Sequence, residues 1–288
     1  MVLGANGMLG GRVVQKLSNL GHDVFSTIRP NIAGAAEARF DVLKNTIAEL
    51  VAAWPASAGY VVNCIGVIKP RIDESQSSSV EQAVRINTLF PHQLANYAEN
   101  AGLKVLQIAT DCVFSGAAGR YNEKSAHDAT DVYGKTKSLG EVNSRQVMHL
   151  RCSIVGPEIG RSTSLWEWVR GQPRHAVISG YLNHYWNGIT TDAFGEICHS
   201  IISNDLFSAG VVHVVPDDVV SKNQLVNIIL KRLGRTDVGV TPVDAVTAID
   251  RTLITIDELR NSQIWAGTSF GCIPQIQNMI DSVRIPSA

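Results

Sequence analysis

In the first half of the chain, short apolar segments alternate with amphipathic segments of helical spacing. This alternation is typical of a parallel β-sheet with helices on both faces, because each parallel strand needs a crossover connection to reach the next one. We therefore predict an α/β protein built on a doubly wound parallel sheet. The strand candidates are Met1–Leu3, Asp23–Thr27, Ala38–Phe40, Gly59–Cys64, Lys104–Ala109 and Val147–Arg151.

The second half of the chain follows a different pattern. From residue 156 to residue 191 it is rich in Trp, Arg and Gly, and the alternation resumes only with the strand candidate Val211–Val215 and the helix candidate Lys222–Leu233. Such a break in the pattern predicts a smaller C-terminal substrate-binding cap beside the sheet domain. The predicted sheet domain comprises residues 1–155 and 189–215, and the predicted cap comprises residues 156–188 and 216–288.

The segment LGANGMLGGRVV places three glycines, Gly4, Gly7 and Gly10, between the first strand and the first helix. This spacing is a variant of the Rossmann dinucleotide fingerprint, in which glycines permit a tight turn, a close approach to a pyrophosphate and close packing of helix on strand. The first N–H groups of the helix would face the anion. A glycine-rich turn without a ligand is the alternative. The predicted cofactor contacts of this loop are Gly4, Asn6, Gly7, Met8, Leu9 and Gly10.

The end of the second strand indicates which dinucleotide binds. NAD sites of this type usually carry an acidic residue there, which binds the ribose 2′-hydroxyl. This chain has Ser26-Thr27-Ile28-Arg29 instead. A hydroxyl and a guanidinium suit a 2′-phosphate, so we predict NADP as the cofactor, with NADPH preferred and NAD as the alternative. In a second interpretation, Arg29 is a solvated loop residue.

A tyrosine and a lysine, Tyr133 and Lys137, lie in the segment DVYGKTKSLGE before the sixth strand candidate. Residues i and i+4 share one face of a helix, so the Lys137 ammonium would lie near the Tyr133 phenol and lower its pKa. A phenol made acidic in this way can protonate a carbonyl oxygen. Ligands of doubly wound sheets lie at the carboxyl ends of the strands, so we expect Thr110 beside the same ligand.

Several motifs resemble those of extended short-chain dehydrogenase/reductases and occur in that family's order. They are GANGMLG, Asp41-Val42 after the third strand, Asn63 at the end of the fourth, ATDCVFSG and VYGKTKSLGE. Within the family, the chain is most similar to dTDP-4-dehydrorhamnose reductases and related nucleotide-sugar reductases. The resemblance covers essentially the whole chain and is strongest over residues 1–156.

The resemblance implies a reaction and a set of residues. The implied reaction is the NAD(P)H-dependent reduction of the 4-keto group of a nucleotide-diphospho-6-deoxyhexose. In the implied mechanism, Tyr133 protonates the developing alkoxide, Thr110 hydrogen-bonds it, and Lys137 holds the nicotinamide ribose. Tyr133 and Lys137 thus also contact the cofactor, together with Asp41, Val42, Cys64, Ile65 and Gly66. The predicted substrate contacts are Lys69, Asp111, Cys112, Arg161, Trp186 and Asn187.

The chain departs from the family pattern at two places. Cys112 stands where relatives that dehydrate the sugar carry an acid, which disfavours a 4,6-dehydratase. Some relatives that combine epimerisation with reduction use a cysteine at this spacing, so an epimerase or epimerase-reductase using Cys112 is one alternative. A buried packing role for the thiol is another. Ser153-Ile154 replaces the Ser-Trp pair of the reductases, and we expect Trp186 or a neighbour to supply the missing contact with the sugar.

A non-catalytic NADP-binding regulatory subunit is a further alternative, because a fold does not by itself establish a function. The intact set of Thr110, Tyr133 and Lys137 argues against that interpretation. An epimerase that acts at C4 shares the same three residues but usually retains NAD, which the missing acid after the second strand disfavours.

Composition limits the remaining partners and the compartment. A net charge of -1 with scattered Lys and Arg gives no electrostatic footprint for nucleic acid or an anionic membrane, and no apolar run reaches the length of a membrane span. The five cysteines lack the spacing of a metal site, so we expect reduced thiols, no metal and a cytoplasmic location. The expected partner is a nucleotide-diphosphate sugar, and the sequence is compatible with a homodimer.

Overall fold

The computed structural model describes residues 1–30, 38–55, 57–158 and 163–285. Its strands are β1 (Val2–Leu3), β2 (Ser26–Ile28), β3 (Ala38–Arg39), β4 (Tyr60–Asn63), β5 (Lys104–Thr110), β6 (Val147–Cys152), β7 (Ile154–Val155), β8 (Val177–Tyr181), β9 (His184–Trp186), β10 (Ile189–Thr190), β11 (Gly210–His213), β12 (Val220–Ser221), β13 (Gly239–Val243) and β14 (Ile249–Asp250). Its α-helices are α1 (Met8–Asn19), α2 (Ile47–Ala52), α3 (Ser77–Val84), α4 (Phe90–Ala101), α5 (Val132–Leu139), α6 (Leu165–Arg170), α7 (Thr191–Ser203), α8 (Lys222–Arg232), α9 (Glu258–Ala266) and α10 (Ile276–Ser282). Short 3₁₀ turns lie at Lys69–Arg71 and Asp111–Val113, and a π-helical turn lies at Arg85–Leu89.

A seven-stranded parallel sheet forms the centre of the protein, in the order β11-β6-β5-β4-β1-β2-β3. This order confirms the predicted doubly wound α/β fold. The second strand is Ser26–Ile28 rather than Asp23–Thr27, because it pairs only with the short strands β1 and β3, and this pairing starts at Ser26. The other strand candidates are confirmed with small shifts of their ends.

Helices cover both faces of this sheet. On one face, α1 and α7 contribute side chains such as Leu9 and Phe194 to a large hydrophobic core, and on the other face α4 buries Phe90 in a second core. Successive residues of a strand point to opposite faces, so Val61 joins the second core and its neighbour Val62 joins the first. Because helices cover both faces of the sheet, the side chains on both sides of the central strands are buried, which explains why the strand sequences are continuous apolar segments.

The C-terminal half adds three small sheets, β7 with β10, β8 with β13, and β9 between β12 and β14. Helix α8 starts where predicted, because the Ser221 hydroxyl accepts from the Gln224 N–H while the Gln224 side chain accepts from the Ser221 N–H. Leu225 and Ile229 of α8 belong to the same hydrophobic core as α1. This core crosses the boundary between the two predicted domains, and the division into residues 1–155 plus 189–215 and 156–188 plus 216–288 remains a proposal.

The described residues contain five free cysteines, of which Cys152 and Cys198 are buried and Cys272 is exposed. Within the same ranges, no group of three or more His, Cys, Asp or Glu side chains is arranged to hold a metal ion. None of the helices in the described segments combines the length and the apolar character that a bilayer crossing requires.

Candidate active site

The carboxyl ends of the central strands form one edge of the sheet, and most of the predicted site lies along it. β1 ends at the glycine loop, β4 ends before Cys64, and β5 ends at Thr110. Because these strands are parallel, the segments that follow them lie side by side. Doubly wound sheets bind their ligands at this edge, near the point between β1 and β4 where the strand order reverses.

The glycine loop has the geometry of a pyrophosphate cradle. Gly4 has a φ of 82°, in the left-handed region that favours glycine. The Gly7 N–H donates to the Gly4 carbonyl at 3.0 Å and closes the turn. A Cβ at Gly10 would lie 2.2 Å from the Gly4 carbonyl oxygen, so only glycine lets α1 begin this close to β1.

The first turn of α1 is open towards this loop. Gly7 is the N-cap and no side chain caps the first N–H groups of the helix. Gly7 is exposed and Asn6 and Met8 are half-buried, whereas the Leu9 side chain lies in the core, so Leu9 can offer only its backbone. Uncapped N–H groups and the helix dipole both favour a bound anion. These residues therefore fit the pyrophosphate of a dinucleotide.

The loop after β4 packs against the glycine loop. Ile65 lies so close to Gly4 that its Cγ1 would be 3.0 Å from a Cβ placed there. Buried Asn63 holds this loop, because its Oδ1 accepts from the Ile65 N–H at 3.1 Å. Cys64, Ile65 and the exposed Gly66 thus follow β4 at the edge where the predicted cofactor would lie, and their contact with it stays a prediction.

The chain after β3 continues this edge with Asp41 and Val42. Asp41 Oδ1 accepts from the Leu43 N–H at 3.0 Å, which turns the chain away from the sheet. Val42 packs against the second hydrophobic core. Asp41 is half-buried, and its predicted contact on the adenine side of the cofactor stays a prediction.

Arg29 follows β2 directly and is exposed. A second arginine, Arg39 at the end of β3, lies beside the same turn, because its Nη1 donates to the carbonyls of Arg29 at 3.4 Å and Pro30 at 3.3 Å. Arg39 is not predictable as a site residue from the sequence, since it stands within a strand candidate and only the pairing of β2 with β3 brings it to this turn.

Helix α5 is fixed at its N-terminus by two carboxylates. Asp131 Oδ1 accepts from the Gly134 N–H at 2.9 Å, and Glu74 Oε1 accepts from the N–H of the first helical residue at 3.0 Å. A Cβ at Gly134 would lie 2.5 Å from the Cys112 carbonyl oxygen, so α5 packs directly on the turn that follows β5. These contacts bring Tyr133 to the end of β5.

Tyr133 and Thr110 come together there, as predicted. The Thr110 side chain lies near enough to the Tyr133 phenol to act on its pKa. The Thr110 hydroxyl donates to Asp111 Oδ1 at 3.2 Å and accepts from the Cys112 N–H at 3.2 Å. Burial raises the pKa of the Tyr133 phenol, and the polar side chain of Thr110 acts in the opposite direction. The phenol is therefore a protonated hydrogen-bond donor at neutral pH.

The prediction that Lys137 lowers the pKa of Tyr133 is wrong in this structure. The Lys137 ammonium donates to the carbonyl of Ile108 on β5 at 2.9 Å, and the pKa of the phenol is raised rather than lowered. Burial also lowers the pKa of Lys137 to about 8. Tyr133 and Lys137 therefore lie on one side of α5, as the i, i+4 spacing predicts. The Lys137 ammonium, however, is held by the Ile108 carbonyl on β5 and not by the phenol.

A buried asparagine that the sequence analysis missed joins α5 to the loop after β4. Asn87 accepts from the Val67 N–H at 2.9 Å and donates to the Thr136 hydroxyl at 3.2 Å. Asn87 lies in the π-helical turn, a feature that is frequent at functional sites. A Cβ at Gly140 would lie 2.0 Å from the Asn87 carbonyl oxygen, so the two helical segments touch. Nothing in the local sequence marks the π turn.

Asp111 faces two cations that the sequence analysis also missed. Burial raises the pKa of Asp111, while the charges of Arg251 and Lys222 act in the opposite direction. Arg251 is oriented by its Nε, which donates to the Phe114 carbonyl at 2.8 Å. The Lys222 Nζ lies 5.7 Å from the centre of the Trp186 ring, and it has no hydrogen-bond partner within the described ranges. Both cations come from the C-terminal region.

Cys112 is half-buried beside Asp111. Burial raises the pKa of the Cys112 thiol to about 12. A thiol with this pKa is protonated at neutral pH and cannot accept a proton as a base. This property weighs against the alternative in which Cys112 serves as the base of an epimerisation.

Two predicted substrate contacts have structural roles instead. Trp186 is only 5% exposed, and its Nε1–H, the one donor of the indole, donates to the Ser153 hydroxyl at 2.9 Å. Asn187 is buried, and its amide donates to the Leu253 carbonyl at 2.7 Å and accepts from the Leu253 N–H at 2.9 Å. The polar groups of both side chains are bonded within the protein, to Ser153 and to Leu253, so they are not available to a sugar.

The two remaining predicted substrate contacts are Lys69 and Arg161. Lys69 is exposed, and its Nζ lies 3.0 Å from Asp131 Oδ2, at the N-terminus of α5. It therefore stands near Tyr133, and its contact with a phosphate stays a prediction. Arg161 lies outside the described residues.

A cavity of about 300 Å³ lies within the C-terminal region. Its walls include the aromatic rings of Trp168, Tyr181 and His184, and Lys222 lies at its border. Lys222, whose charge also acts on Asp111, is the residue that the cavity shares with the cluster around Asp111. An aromatic wall with one ammonium suits a flat ring joined to an anionic group.

Comparison with known proteins identifies a family. Residues 1–252 match the family model described as the RmlD substrate binding domain. The chain is 33% identical over 146 residues to a dTDP-4-dehydrorhamnose reductase of Streptomyces griseus, a match that covers 49% of this chain and 43% of that protein. It is also 30% identical over 155 residues to methionine adenosyltransferase 2 subunit beta of Xenopus tropicalis, covering 52% of this chain and 42% of that protein. The matches thus span less than half the length of each relative.

Comparison with solved structures identifies the same fold. The structure of dTDP-4-dehydrorhamnose reductase from Bacillus anthracis in complex with NADP superimposes with a TM-score of 0.74 at 18% sequence identity, covering 97% of this chain and 96% of that chain. At this level of identity, the likeness shows that the two chains share a fold.

Proposed function

The chain belongs to the RmlD substrate binding domain family, and on that basis we propose that it reduces the 4-keto group of a nucleotide-diphospho-6-deoxyhexose with NADPH. The observation that carries the proposal is the contact between Tyr133 and Thr110 at the strand edge that also carries the glycine loop. The reductase relative supports the substrate class, and the complex of the Bacillus anthracis reductase with NADP supports the cofactor.

Tyr133 is the proton donor in the proposed reaction. When bound, the dihydronicotinamide supplies the hydride that reduces the carbonyl carbon. The carbonyl oxygen then needs a proton, and the Tyr133 phenol, protonated at neutral pH, can donate it. The Thr110 hydroxyl can stabilise either the developing alkoxide or the phenolate that remains. Lys137 adds a positive charge on the same face of α5.

The cofactor would be held along the strand edge. The uncapped N–H groups of α1 would bind its pyrophosphate, and the loop of Cys64, Ile65 and Gly66 would border it. Lys137 would hold the nicotinamide ribose, and Asp41 would lie on the adenine side.

Lys222 and Arg251 would bind the diphosphate of the sugar nucleotide. Both cations act on Asp111, next to Thr110, so an anion between them lies close to Tyr133. The half-buried Lys222 ammonium has no hydrogen-bond partner within the described part of the chain, and an anionic oxygen would supply one. The aromatic wall of the adjoining cavity would then stack on the nucleobase.

Turnover with a panel of nucleotide sugars tests the proposal. NADPH consumption is measured with dTDP-, UDP- and GDP-linked 4-keto-6-deoxy sugars, and the product stereochemistry is read by NMR. We expect oxidation of NADPH with at least one of them. Tight binding of NADPH without turnover of any keto sugar would contradict the proposal and favour a regulatory role. A solvent deuteron at C3 or C5 of the product would instead show epimerisation.

Replacing Arg29 with alanine is expected to raise the KM for NADPH by about tenfold or more, because a charge-assisted contact with the 2′-phosphate is lost. The KM for NADH should stay within about twofold, because NADH lacks this phosphate. Arg39→Ala is expected to act in the same direction, since Arg39 lies beside the same turn. The control is Arg145→Ala, which removes an exposed arginine at the opposite edge of the sheet. An equal change in the KM for both cofactors would contradict the assignment.

Replacing Lys222 with methionine is expected to raise the KM for the sugar nucleotide by about tenfold, with the Kd for NADPH unchanged, because the ammonium is removed while the shape of the side chain is kept. Lys231→Met removes an exposed ammonium at the other end of α8 and serves as the control. Unchanged KM values in the Lys222 variant would exclude its contact with the substrate.

The cytoplasmic location and the homodimer remain predictions. Gel filtration with light scattering measures the oligomeric state directly.

A further inference from the structure

The side of α5 that bears Tyr133 and Lys137 continues to Glu141. The three residues have the spacing i, i+4 and i+8, which places them on one face of a helix. α5 itself ends at Leu139, but the Glu141 N–H donates to the Ser138 carbonyl at 3.2 Å, so a final turn extends two residues further, to Glu141. Glu141 therefore lies at the C-terminal end of the helix face that carries Tyr133 and Lys137.

A buried guanidinium on the neighbouring strand holds Glu141. The side chains of Arg151 and Glu141 are 1% and 8% exposed. Arg151 Nε donates to Glu141 Oε1 at 3.1 Å, and Arg151 Nη2 donates to Glu141 Oε2. Two such bonds fix both the position and the orientation of the carboxylate. Removing one partner would leave a buried charge without compensation, so the pair is costly to break.

The remaining donors of Arg151 bind two histidines. Nη2 donates to His127 Nε2 at 2.9 Å and Nη1 donates to His213 Nε2 at 2.8 Å. Because a guanidinium only donates, both histidines accept at Nε2 and carry their proton on Nδ1. His127 Nδ1–H then donates to the Ser138 hydroxyl of α5 at 2.7 Å, and His213 Nδ1–H donates to the Ile254 carbonyl at 2.7 Å. Arg151 is thus connected to α5 through His127 as well as through Glu141. It is connected to the C-terminal region through His213.

Glu141 also acts on the charge of Lys137. Burial lowers the pKa of Lys137 to about 8, and the Glu141 carboxylate is the largest influence that opposes this change. The other titratable groups beside Lys137 within the described ranges are Tyr133 on the same face of α5, whose phenol is protonated at neutral pH, and two groups on β6, Cys152 and His149. Burial raises the pKa of Cys152 and lowers the pKa of His149, so these two groups on β6 are also neutral near pH 7. Glu141 is thus the formal negative charge that faces Lys137 from the described residues.

We propose that Glu141, oriented by Arg151, is a positioning residue of the proposed reductase: it keeps the Lys137 ammonium charged and fixes the end of the catalytic face of α5. Glu141 does this without touching the substrate or the cofactor. Arg151 fixes the position of the Glu141 carboxylate with two hydrogen bonds, so both members of the pair serve the same task.

The main test is Glu141→Gln, which removes the charge and keeps an oxygen that can accept from Arg151. Loss of a nearby negative charge should lower the pKa of Lys137 by about one unit from its value of about 8. A lower pKa means that Lys137 loses its proton earlier as the pH rises. The alkaline limb of the pH profile of kcat should therefore move to lower pH, with kcat about tenfold below that of the wild type near pH 9 and within about twofold near pH 6.

The matched control is Glu196→Gln. The Glu196 side chain is also 8% exposed and pairs with a lysine, Lys16, but it lies on α7, away from α5. We expect it to lower thermal stability without moving the pH profile. A loss in Glu141→Gln that is the same at every pH would show a merely structural role and overturn the proposal, as would an equal shift of the profile in Glu196→Gln.

The pKa of Lys137 can be measured directly by NMR titration of the protein with labelled lysine, and the Lys137→Arg variant identifies the Lys137 signal. This measurement tests the proposal without any enzymatic turnover. If no sugar nucleotide is reduced, the proposed function fails while this titration still tests Glu141. An unchanged Lys137 pKa in Glu141→Gln would refute the positioning role. If that variant does not fold, Arg151→Lys replaces it, because one ammonium keeps the charge but cannot hold both carboxylate oxygens. We then expect a smaller shift of the Lys137 pKa, and no shift would equally refute the proposal.

Discussion

Tyr133→Phe is expected to lower kcat by about 10²–10⁴-fold, the usual contribution of a positioned proton donor. The phenol is the protonated group that meets Thr110 at the end of β5, and phenylalanine keeps its ring but has no proton to give. The glycine loop and the N-terminus of α1 are untouched, so the Kd for NADPH should stay within about twofold. Stopped-flow oxidation of NADPH and fluorescence titration measure the two quantities separately.

Tyr97→Phe is the matched control for this experiment. Tyr97 is also half-buried, but it lies on α4 and packs against the ring of Trp54 at 5.9 Å. Removing its hydroxyl should leave turnover unchanged. Turnover of the Tyr133 variant within about tenfold of the wild type would remove the phenol from the mechanism, because a proton donor contributes more than that.

The features of the fold and of the site that the sequence could predict are those that follow from local rules. A glycine at position 4 is needed for a left-handed turn, a hydroxyl at position 221 caps a helix, and the end of a parallel strand places Thr110 at the ligand edge. Each of these follows from a few neighbouring residues and from the topology of a parallel sheet.

The remaining site residues depend on tertiary packing that no local rule contains. Lys222 and Arg251 reach Asp111 only because the C-terminal region folds back over the end of β5. Trp186 lies within the segment from which a sugar contact was expected, but its indole turns inward to the hydroxyl of Ser153. The direction of a side chain in a short strand depends on the register of that strand, which the composition of the segment does not reveal.

For Tyr133 and Lys137, which lie on one helix, the sequence predicted the placement correctly and the pKa of the phenol wrongly. The i, i+4 rule correctly placed them on one face of α5. It could not show that the Ile108 carbonyl, on a different strand, would hold the ammonium at 2.9 Å. It also could not show that burial would outweigh charge in setting the pKa of the phenol. Competition between partners that are distant in sequence decides these electrostatic details.

Gly10→Ala is expected to remove cofactor binding and to destabilise the fold. A Cβ at this position would lie 2.2 Å from the carbonyl oxygen of Gly4 and 2.7 Å from its carbonyl carbon, and both atoms belong to the backbone of the loop. Either α1 moves away from β1 or the Gly4 turn opens. We expect the free energy of unfolding to fall by about 3 kcal/mol, at the upper end of the usual cost of overpacking.

The same displacement moves the first N–H groups of α1 away from the pyrophosphate, so the Kd for NADPH should rise by at least about a hundredfold, which corresponds to about 3 kcal/mol. Urea unfolding and isothermal titration measure the two losses. Gly59→Ala is the control, because a Cβ at Gly59 meets no atom within 4 Å and should change the free energy of unfolding by no more than about 0.5 kcal/mol. If Gly10→Ala binds NADPH as tightly as the wild type, the cofactor does not lie on this loop, and the placement of Tyr133 beside a nicotinamide loses its basis.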